Sequence, residues 1–267
     1  MDFEHIRIEQ EGRVAILTLD RPESGNTLSE PAVVDELERG VGGLQSGGET
    51  SVLIVTGRDK IFSAGGNVKA MRDRSGMFAG SPVEIYENYR DSVQRITRLM
   101  AATDLVTIAA VNGHAIGAGC DLALMCDLRI AAKKARFSQA FVNLGIVPGD
   151  GGAWFLARAV PRHVAAELVF TGKKIDGESA YRLGLVNEVV EDDELLDRAR
   201  GLAAEIASKP PAALRLSKRL LNRASEVSLS EFLDISAAYQ SFLHQTEDHH
   251  EAVAALLEKR PAEFKGR

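Results

Sequence analysis

At 267 residues the chain is long enough for one large α/β domain, or one domain with a small appendage, and for a substantial core. Its composition, 45% hydrophobic and 26% charged, is that of an ordinary soluble globular protein, and no run approaches the roughly 18 apolar residues a membrane helix requires. A net charge of −6 and a pI near 5.6 argue against a nucleic-acid surface, and the acidic, strand-like N-terminus does not read as a signal peptide.

Ile6–Ile8 and Val14–Leu19 alternate apolar and polar around Glu11-Gly12 and predict a β-hairpin. After the turn RPESGN, Ser29 precedes Val33, Val34, Leu37, Val41 and Leu44 on one face, which predicts an amphipathic helix with a cap candidate before it. SVLIVT (51–56) and TIAAV (107–111) are apolar almost throughout, as strands buried on both faces must be. Between them a polar, mobile stretch is expected over residues 72–82, then a helix carrying Tyr86, Tyr89, Val93, Ile96 and Leu99. Residues 128–131 and 185–190 predict two more short strands. From about residue 192 four helical patterns follow, over 193–207, 212–223, 229–245 and 247–258, and Pro210-Pro211 marks the shift in composition. The organisation expected is a βα-alternating core over 1–191 and an all-helical portion over 192–267, too small to be an independent catalytic unit.

Two segments, 51–71 and 107–127, each run from a buried strand through a tight turn of small residues into a helix. N–H groups at a helix start lack intrahelical partners and sit at the positive end of its dipole. Two such turns face to face would offer a pair of donors to a developing oxyanion; ordinary βα turns are the alternative. Neither is a nucleotide loop, since GAGCDL lacks the GxGxxG spacing and no GKS or GKT follows a glycine loop. No HExxH occurs, and Ser63 and Ser138 lack a nucleophile-elbow context. Cys120 and Cys126 lie in an apolar helical pattern that suits a reducing cytosol rather than a disulfide or metal framework, so no metal is expected.

The segments LDRPESGNTLS (19–29), GRDKIFSAGGNVKAM (57–71), AAVNGHAIGAGCDLALMCD (109–127), LGIVPGDGGAWFLAR (144–158) and AAELVFTGKKIDGESAYRLGLVNEVV (165–190), with the tail over 244–267, follow one another over essentially the whole chain. Together they resemble the crotonase superfamily, the enoyl-CoA hydratase/isomerase family. The resemblance implies an α/β fold, a crotonase-like spiral of ββα units in 1–191 that binds acyl-CoA, with a C-terminal helical trimerisation region in 192–267. It also implies a homotrimer or a dimer of trimers. The acidic balance, the lack of a long apolar run and the two lone cysteines add a cytoplasmic location, with no nucleic acid or membrane as partner. The substrate it implies is an acyl-CoA thioester, coenzyme A being part of the substrate and no separate cofactor being needed. The thioester enolate would be held by two backbone N–H groups, which motif matching puts at Ala64 and Ala118. The same matching puts coenzyme A against Leu28, Gly66, Asn67 and Val68, with Phe264 and Lys265 reaching the site of a neighbouring subunit. The family's usual alanine and aspartate at 66 and 67 are glycine and asparagine here.

Two departures from the family pattern bear on the chemistry. Its hydratases use two glutamates to place and activate a water. The first matches Asp121, one methylene shorter, and the second matches Phe141, which cannot transfer a proton. Asp150 stands in the next turn, one residue beyond the place where some family isomerases carry an aspartate. In a pocket walled by Phe141 and Trp154 its carboxyl would have a raised pKa and act as general acid or base, or it would simply cap the helix that begins at Gly151. Asp121 is the second catalytic candidate, or else a favourable charge in a first helical turn. His114 is expected to pack in a turn under the helix rather than to donate to the thioester. An aromatic at 141 dries the pocket and disfavours a held water, so the expected reaction is double-bond isomerisation with Asp150 as acid/base. Hydration by Asp121 and Asp150 is the alternative, and a non-catalytic acyl-CoA-binding protein is the reading of another class.

Overall fold

The computed structural model describes residues 2–267. The expected hairpin is β1 (Ile6–Glu11) and β2 (Val14–Leu19), antiparallel, with Glu11 opposite Val14. The remaining strands are β3 (Val52–Gly57), β4 (Ile61–Ser63), β5 (Val106–Val111), β6 (His114–Ile116), β7 (Leu128–Ala132), β8 (Arg136–Ser138), β9 (Ile175–Asp176) and β10 (Glu188–Val190). They form two sheets: six strands in the order β1-β2-β3-β5-β7-β10, parallel from β2 onward, and four short strands in the order β4-β6-β8-β9. Each of β3, β5 and β7 crosses the large sheet and is followed within a few residues by its short partner in the small one. This repeat of paired strands is what makes the chain spiral.

The helices are α1 (Pro31–Gly47), α2 (Val68–Asp73), α3 (Pro82–Asp91), α4 (Val93–Ala102), α5 (Ala118–Met125), α6 (Gly152–Ala159), α7 (Arg162–Thr171), α8 (Gly177–Arg182), α9 (Leu195–Ala207), α10 (Pro211–Arg223), α11 (Leu229–Leu243) and α12 (Glu247–Glu258). Among the described residues no helix is long and apolar enough to cross a membrane. The large sheet is covered on both faces, which explains its unbroken apolar strands. Val52, Ile54, Ile108, Ala110, Ile130 and Ala132 face α9 through Leu195, Ala199 and Ala203. The alternate residues Leu53, Val55, Ala109, Val111 and Ala131 face the second core, which includes residues of α1, α4 and α5. Because α9 completes one of the two cores, the all-helical portion beginning at 192 shares its core with residues 1–191.

Three local expectations change. Pro31 opens α1 after Glu30, and the Ser29 hydroxyl accepts the Asn67 N–H (3.0 Å) instead of capping that helix. The stretch 72–82 is ordered, with a 3₁₀ turn at Gly76–Phe78 and a Ser81/Glu84 capping box that starts α3. The helix expected from Tyr86 to Leu99 is two helices, broken at Ser92.

Two turns, after β4 and before α5, meet backbone to backbone. Gly65 has φ +82°, and a Cβ there would lie 2.5 Å from the Ile116 carbonyl and 2.8 Å from the Ala118 nitrogen. A Cβ on Gly119 would overlap the Ser63 carbonyl. Gly65→Ala therefore combines left-handed strain with a backbone clash, and its urea midpoint should fall by the equivalent of about 1–3 kcal/mol.

Candidate active site

The turn after β4 is held by the segment that precedes α1. Asn26 is buried, accepts the Arg21 N–H at Oδ1 and donates from Nδ2 to the Ile61 and Phe62 carbonyls. Ser63 Oγ donates to the Asn26 carbonyl (2.7 Å) and accepts the Gly65 N–H (3.0 Å). The Ala64 N–H donates to the Gly25 carbonyl at 2.8 Å. Ala64 is thus already satisfied inside the fold and cannot be the oxyanion donor expected of it. Gly66, expected at coenzyme A, lines a cavity together with Ala118. Neither N–H has a protein acceptor among the described residues, Ala118 because it is the first residue of α5.

Asp121 lies in the first turn of α5, and Asp150 lies just before α6. The two helices meet where Gly152 leaves room for the Asp121 carboxyl; a Cβ there would overlap it. That contact sets the two carboxyls side by side, Asp121 fully buried and Asp150 3% exposed. Asp121 Oδ1 accepts from Nε2 of the buried Gln139. Asp121 Oδ2, both Asp150 oxygens and Gln139 Oε1 have no partner among the described residues. Among the described residues no cation acts on either carboxyl.

Buried acceptors so short of donors are satisfied by retaining a proton. Burial pushes Asp121 well above the usual carboxylate range, the adjacent Asp150 charge and hydrogen bond push it further, and the Gln139 bond offsets part of this. Burial also raises Asp150, while its interaction with Asp121 and the N–H groups of Asp150 and Gly152 hold it lower. Both carboxyls are therefore biased toward keeping a proton, Asp121 the more so because the N–H groups near the α6 N-terminus oppose the shift at Asp150. Asp150 does not cap α6: the N-cap is Gly151, with no side-chain cap bond. Its turn is gripped from α4, where Gln94 Nε2 donates to the Gly149 carbonyl (2.8 Å) and Thr97 Oγ1 to the Asp150 carbonyl (2.5 Å).

Asp150, Gly66 and Ala118 line one small cavity of about 30 Å³. Its other walls include Met71, Met77, Phe78, Tyr89 and Phe141. Tyr89 sits against Gly149, where a Cβ would lie 2.7 Å from its ring, and packs edge-on against Phe78. Trp154 does not wall this cavity. It is 47% exposed, with the Arg158 guanidinium 3.5 Å from its ring centroid, because α6 turns that side chain outward. His114 is exposed on β6, neither packed under a helix nor at the cavity. Leu28 is buried in the core and its N–H donates to the Gly65 carbonyl. Asn67 Oδ1 caps α2 by accepting the Ala70 N–H (3.1 Å), and Val68 beside it is exposed. The backbone of Phe264 and Lys265 is tied to Arg13 and Asp248 of the same chain, and neither residue lines the cavity. Among the described residues, no three His, Cys, Asp or Glu side chains are grouped to hold a metal ion.

The family model for enoyl-CoA hydratase/isomerase matches residues 9–267. The chain is 36% identical to the short-chain-enoyl-CoA hydratase of Clostridium acetobutylicum over 269 residues, covering 100% of each. It is 37% identical to the crotonyl-CoA hydratase of Syntrophomonas wolfei over 99% of each. The chain belongs to the enoyl-CoA hydratase/isomerase family. It is an acyl-CoA enzyme with the crotonase-like spiral its motifs implied. The crystal structure of enoyl-CoA hydratase from Bacillus anthracis matches with a TM-score of 0.92 at 30% identity, covering 99% of this chain and 100% of that one.

The sequence does not mark Gln139, Tyr89, Gln94 or Thr97 as part of the site, and Gly66, expected at coenzyme A, stands at the cavity beside Ala118. The one available signal was for Gly66: two consecutive glycines after a strand allow backbone approach at either position. Gln139 carried none, because a glutamine beside a short strand is ordinarily solvated.

A carboxyl whose folded pKa is raised adds stability below its unfolded value of about 4, and that stability is lost as pH climbs toward the folded pKa. Asp121→Asn keeps a group that can donate to Asp150 and accept from Gln139, without that loss. Its melting temperature should rise relative to wild type as pH climbs above about 4, the unfolded value. Parallel melting curves against pH would show that no raised carboxyl is there.

Proposed function

We propose that this enzyme hydrates 2-enoyl-CoA thioesters, with the Asp121–Asp150 pair moving the proton. The observation that carries this is the buried Asp121–Asp150 pair, of which Asp150 lines the cavity that Gly66 and Ala118 also line. The curated relatives named above are hydratases of this substrate class, which moves the preference away from isomerisation.

In this reading the thioester oxygen sits between the N–H groups of Gly66 and Ala118. Asp150 takes a proton from water as the water oxygen bonds to the β-carbon. The double-bond electrons pass to the thioester oxygen, and the two N–H groups hold the resulting enolate; one such donor is worth about 2.7–4 kcal/mol. The α-carbon then takes a proton from Asp150, which completes the addition of one water. Asp121 stays hydrogen-bonded to Asp150 throughout and steadies its charge. The side walls carry no cation, so the acyl chain they accept is uncharged. Coenzyme A would run past Asn67 and Val68. Exposed Leu229, Leu233, Phe242, Leu256 and Leu257 on α11 and α12 are the surface through which trimers would form. A cytoplasmic location fits two free, buried cysteines.

One observation favours isomerisation as a second reading: Asp150 is the only carboxyl among the cavity-lining residues, and one acid can shuttle a proton between two carbons. Labelled water separates the two, because hydration puts its oxygen into the 3-hydroxyacyl product and isomerisation of a 3-enoyl thioester does not.

Asp150→Asn should lower kcat for crotonyl-CoA by roughly 10²–10⁴-fold with thioester binding unchanged. Wild-type enzyme that leaves the enoyl absorbance of crotonyl-CoA constant would sink the hydratase proposal. Sedimentation should give a mass of three or six chains, and a monomer at micromolar concentration would refute the assembly.

A further inference from the structure

Gln139 follows β8 directly and is 2% exposed. Its Nε2 donates to Asp121 Oδ1, and it is the only side-chain donor to either carboxyl among the described residues. Its own Oε1 is buried without a partner. A glutamine kept only to fill space or to satisfy the core would not leave its acceptor unpaired, since that carries a desolvation cost with no return. The backbone on either side is fixed. Ser138 pairs with Ile116 across β6 and β8, its carbonyl accepts the Gly117 N–H (2.9 Å), and its hydroxyl donates to the Gly172 carbonyl (2.9 Å). The strand contact that sets the start of α5 thus also sets Gln139 against the α5 carboxyl.

We propose that Gln139 is a positioning residue of the reaction: its Nε2–H holds one oxygen of Asp121, which leaves the other oxygen, with its proton, to face Asp150. Without that bond the Asp121 carboxyl is free to rotate, and the proton is no longer presented to the group that works on the substrate. This rests on the assignment of Asp121 and Asp150 as the proton-transfer pair. The other titratable groups in contact are the Tyr89 phenol of α3, near Asp150, and the Cys120 thiol beside Asp121 on α5. Burial raises both, so both are neutral where the pair titrates.

The test does not need turnover. Infrared spectra of the substrate-free enzyme give the pH at which the carboxylic-acid carbonyl band is lost, and Asp121→Asn and Asp150→Asn assign that band to the pair. Gln139→Met matches the side chain in length and removes the donor. A donor to a carboxylate favours its charged form, so losing it should move the band's midpoint to higher pH. If Gln139→Met does not fold, Gln139→Asn withdraws the donor with less change in polarity and should shift the midpoint the same way. An unchanged midpoint in a variant with the wild-type melting curve overturns the proposal. In wild type, the Gln139 side-chain amide resonance should move with the same midpoint as the band, and a resonance that stays fixed overturns it as well. With crotonyl-CoA, kcat of the variant should fall roughly two- to tenfold, the worth of one hydrogen bond to a carboxyl that keeps its proton, while KM holds. A wild type that does not hydrate crotonyl-CoA would refute the function proposed above and leave the infrared result standing on its own.

Discussion

Two backbone turns in this molecule approach more closely than any side chain allows, and the site is arranged around that contact. Gly65 lies against the Ile116 carbonyl and the Ala118 nitrogen, and Gly119 against the Ser63 carbonyl. The small sheet exists to bring these turns together. β4 pairs with β6 and β6 with β8, so the ends of three successive units are fixed side by side by strands of three residues each. Strands this short contribute little stability alone. They persist because β3, β5 and β7 are locked between two cores and each delivers its chain to the same edge. Asn26 closes the arrangement by donating to the Ile61 and Phe62 carbonyls of β4.

The contact fixes the direction of α5, and that direction decides the electrostatics. A carboxyl in the first turn of an exposed helix would be stabilised by the helix dipole and stay ionised, at about 0.3–1 kcal/mol. Asp121 has that position, but α6 covers it at Gly152 and sets a second carboxyl beside it. Two like charges about 4 Å apart repel by roughly 4 kcal/mol even at an effective dielectric of 20, and each loses hydration besides. Those terms exceed the dipole, so the pair keeps a proton. The proton stays with the deeper carboxyl because Asp150 has backbone N–H groups nearby and Asp121 has only an amide.

Most of the large sheet was legible in the sequence, because its strands are apolar on both faces and turn residues flank them. The small sheet was not: Ile61–Ser63, His114–Ile116 and Arg136–Ser138 are too short to show a period, so His114 read as part of a turn. A break inside one helical pattern, at Ser92, left no mark because Val93, Ile96 and Leu99 stay in phase with one another. In the site, motif matching points to the two turns, but the choice between Ala64 and Gly66 depends on which N–H the fold already uses. That acceptor, the Gly25 carbonyl, is 39 residues away in sequence. Trp154, expected to wall the pocket with Phe141, lies inside α6 whereas Asp150 lies before that helix begins, so helical spacing does not put the two side chains on one face.

Phe141 and Asp150 together explain why a chain lacking one of the family's two glutamates still keeps an acid at the cavity. The 3₁₀ turn over Ala140–Leu144 brings the Phe141 ring against Gly117, so the surface that an acid would occupy there is apolar. Nine residues later the chain returns to the same cavity through Pro148 and Gly149, and Asp150 supplies a carboxyl from a different turn. The approach differs, and so must its support. A carboxyl on the 3₁₀ turn could be held by its own segment, whereas Asp150 is held from α4 by Gln94 and Thr97, from α3 by Tyr89 against Gly149, and from α5 by Asp121. Three helices thus converge on one residue whose side chain makes no hydrogen bond of ordinary length. Moving the acid from one turn to the next therefore requires α3, α4 and α5 to move with it, which ties the shape of the cavity to the position of the Asp150 carboxyl.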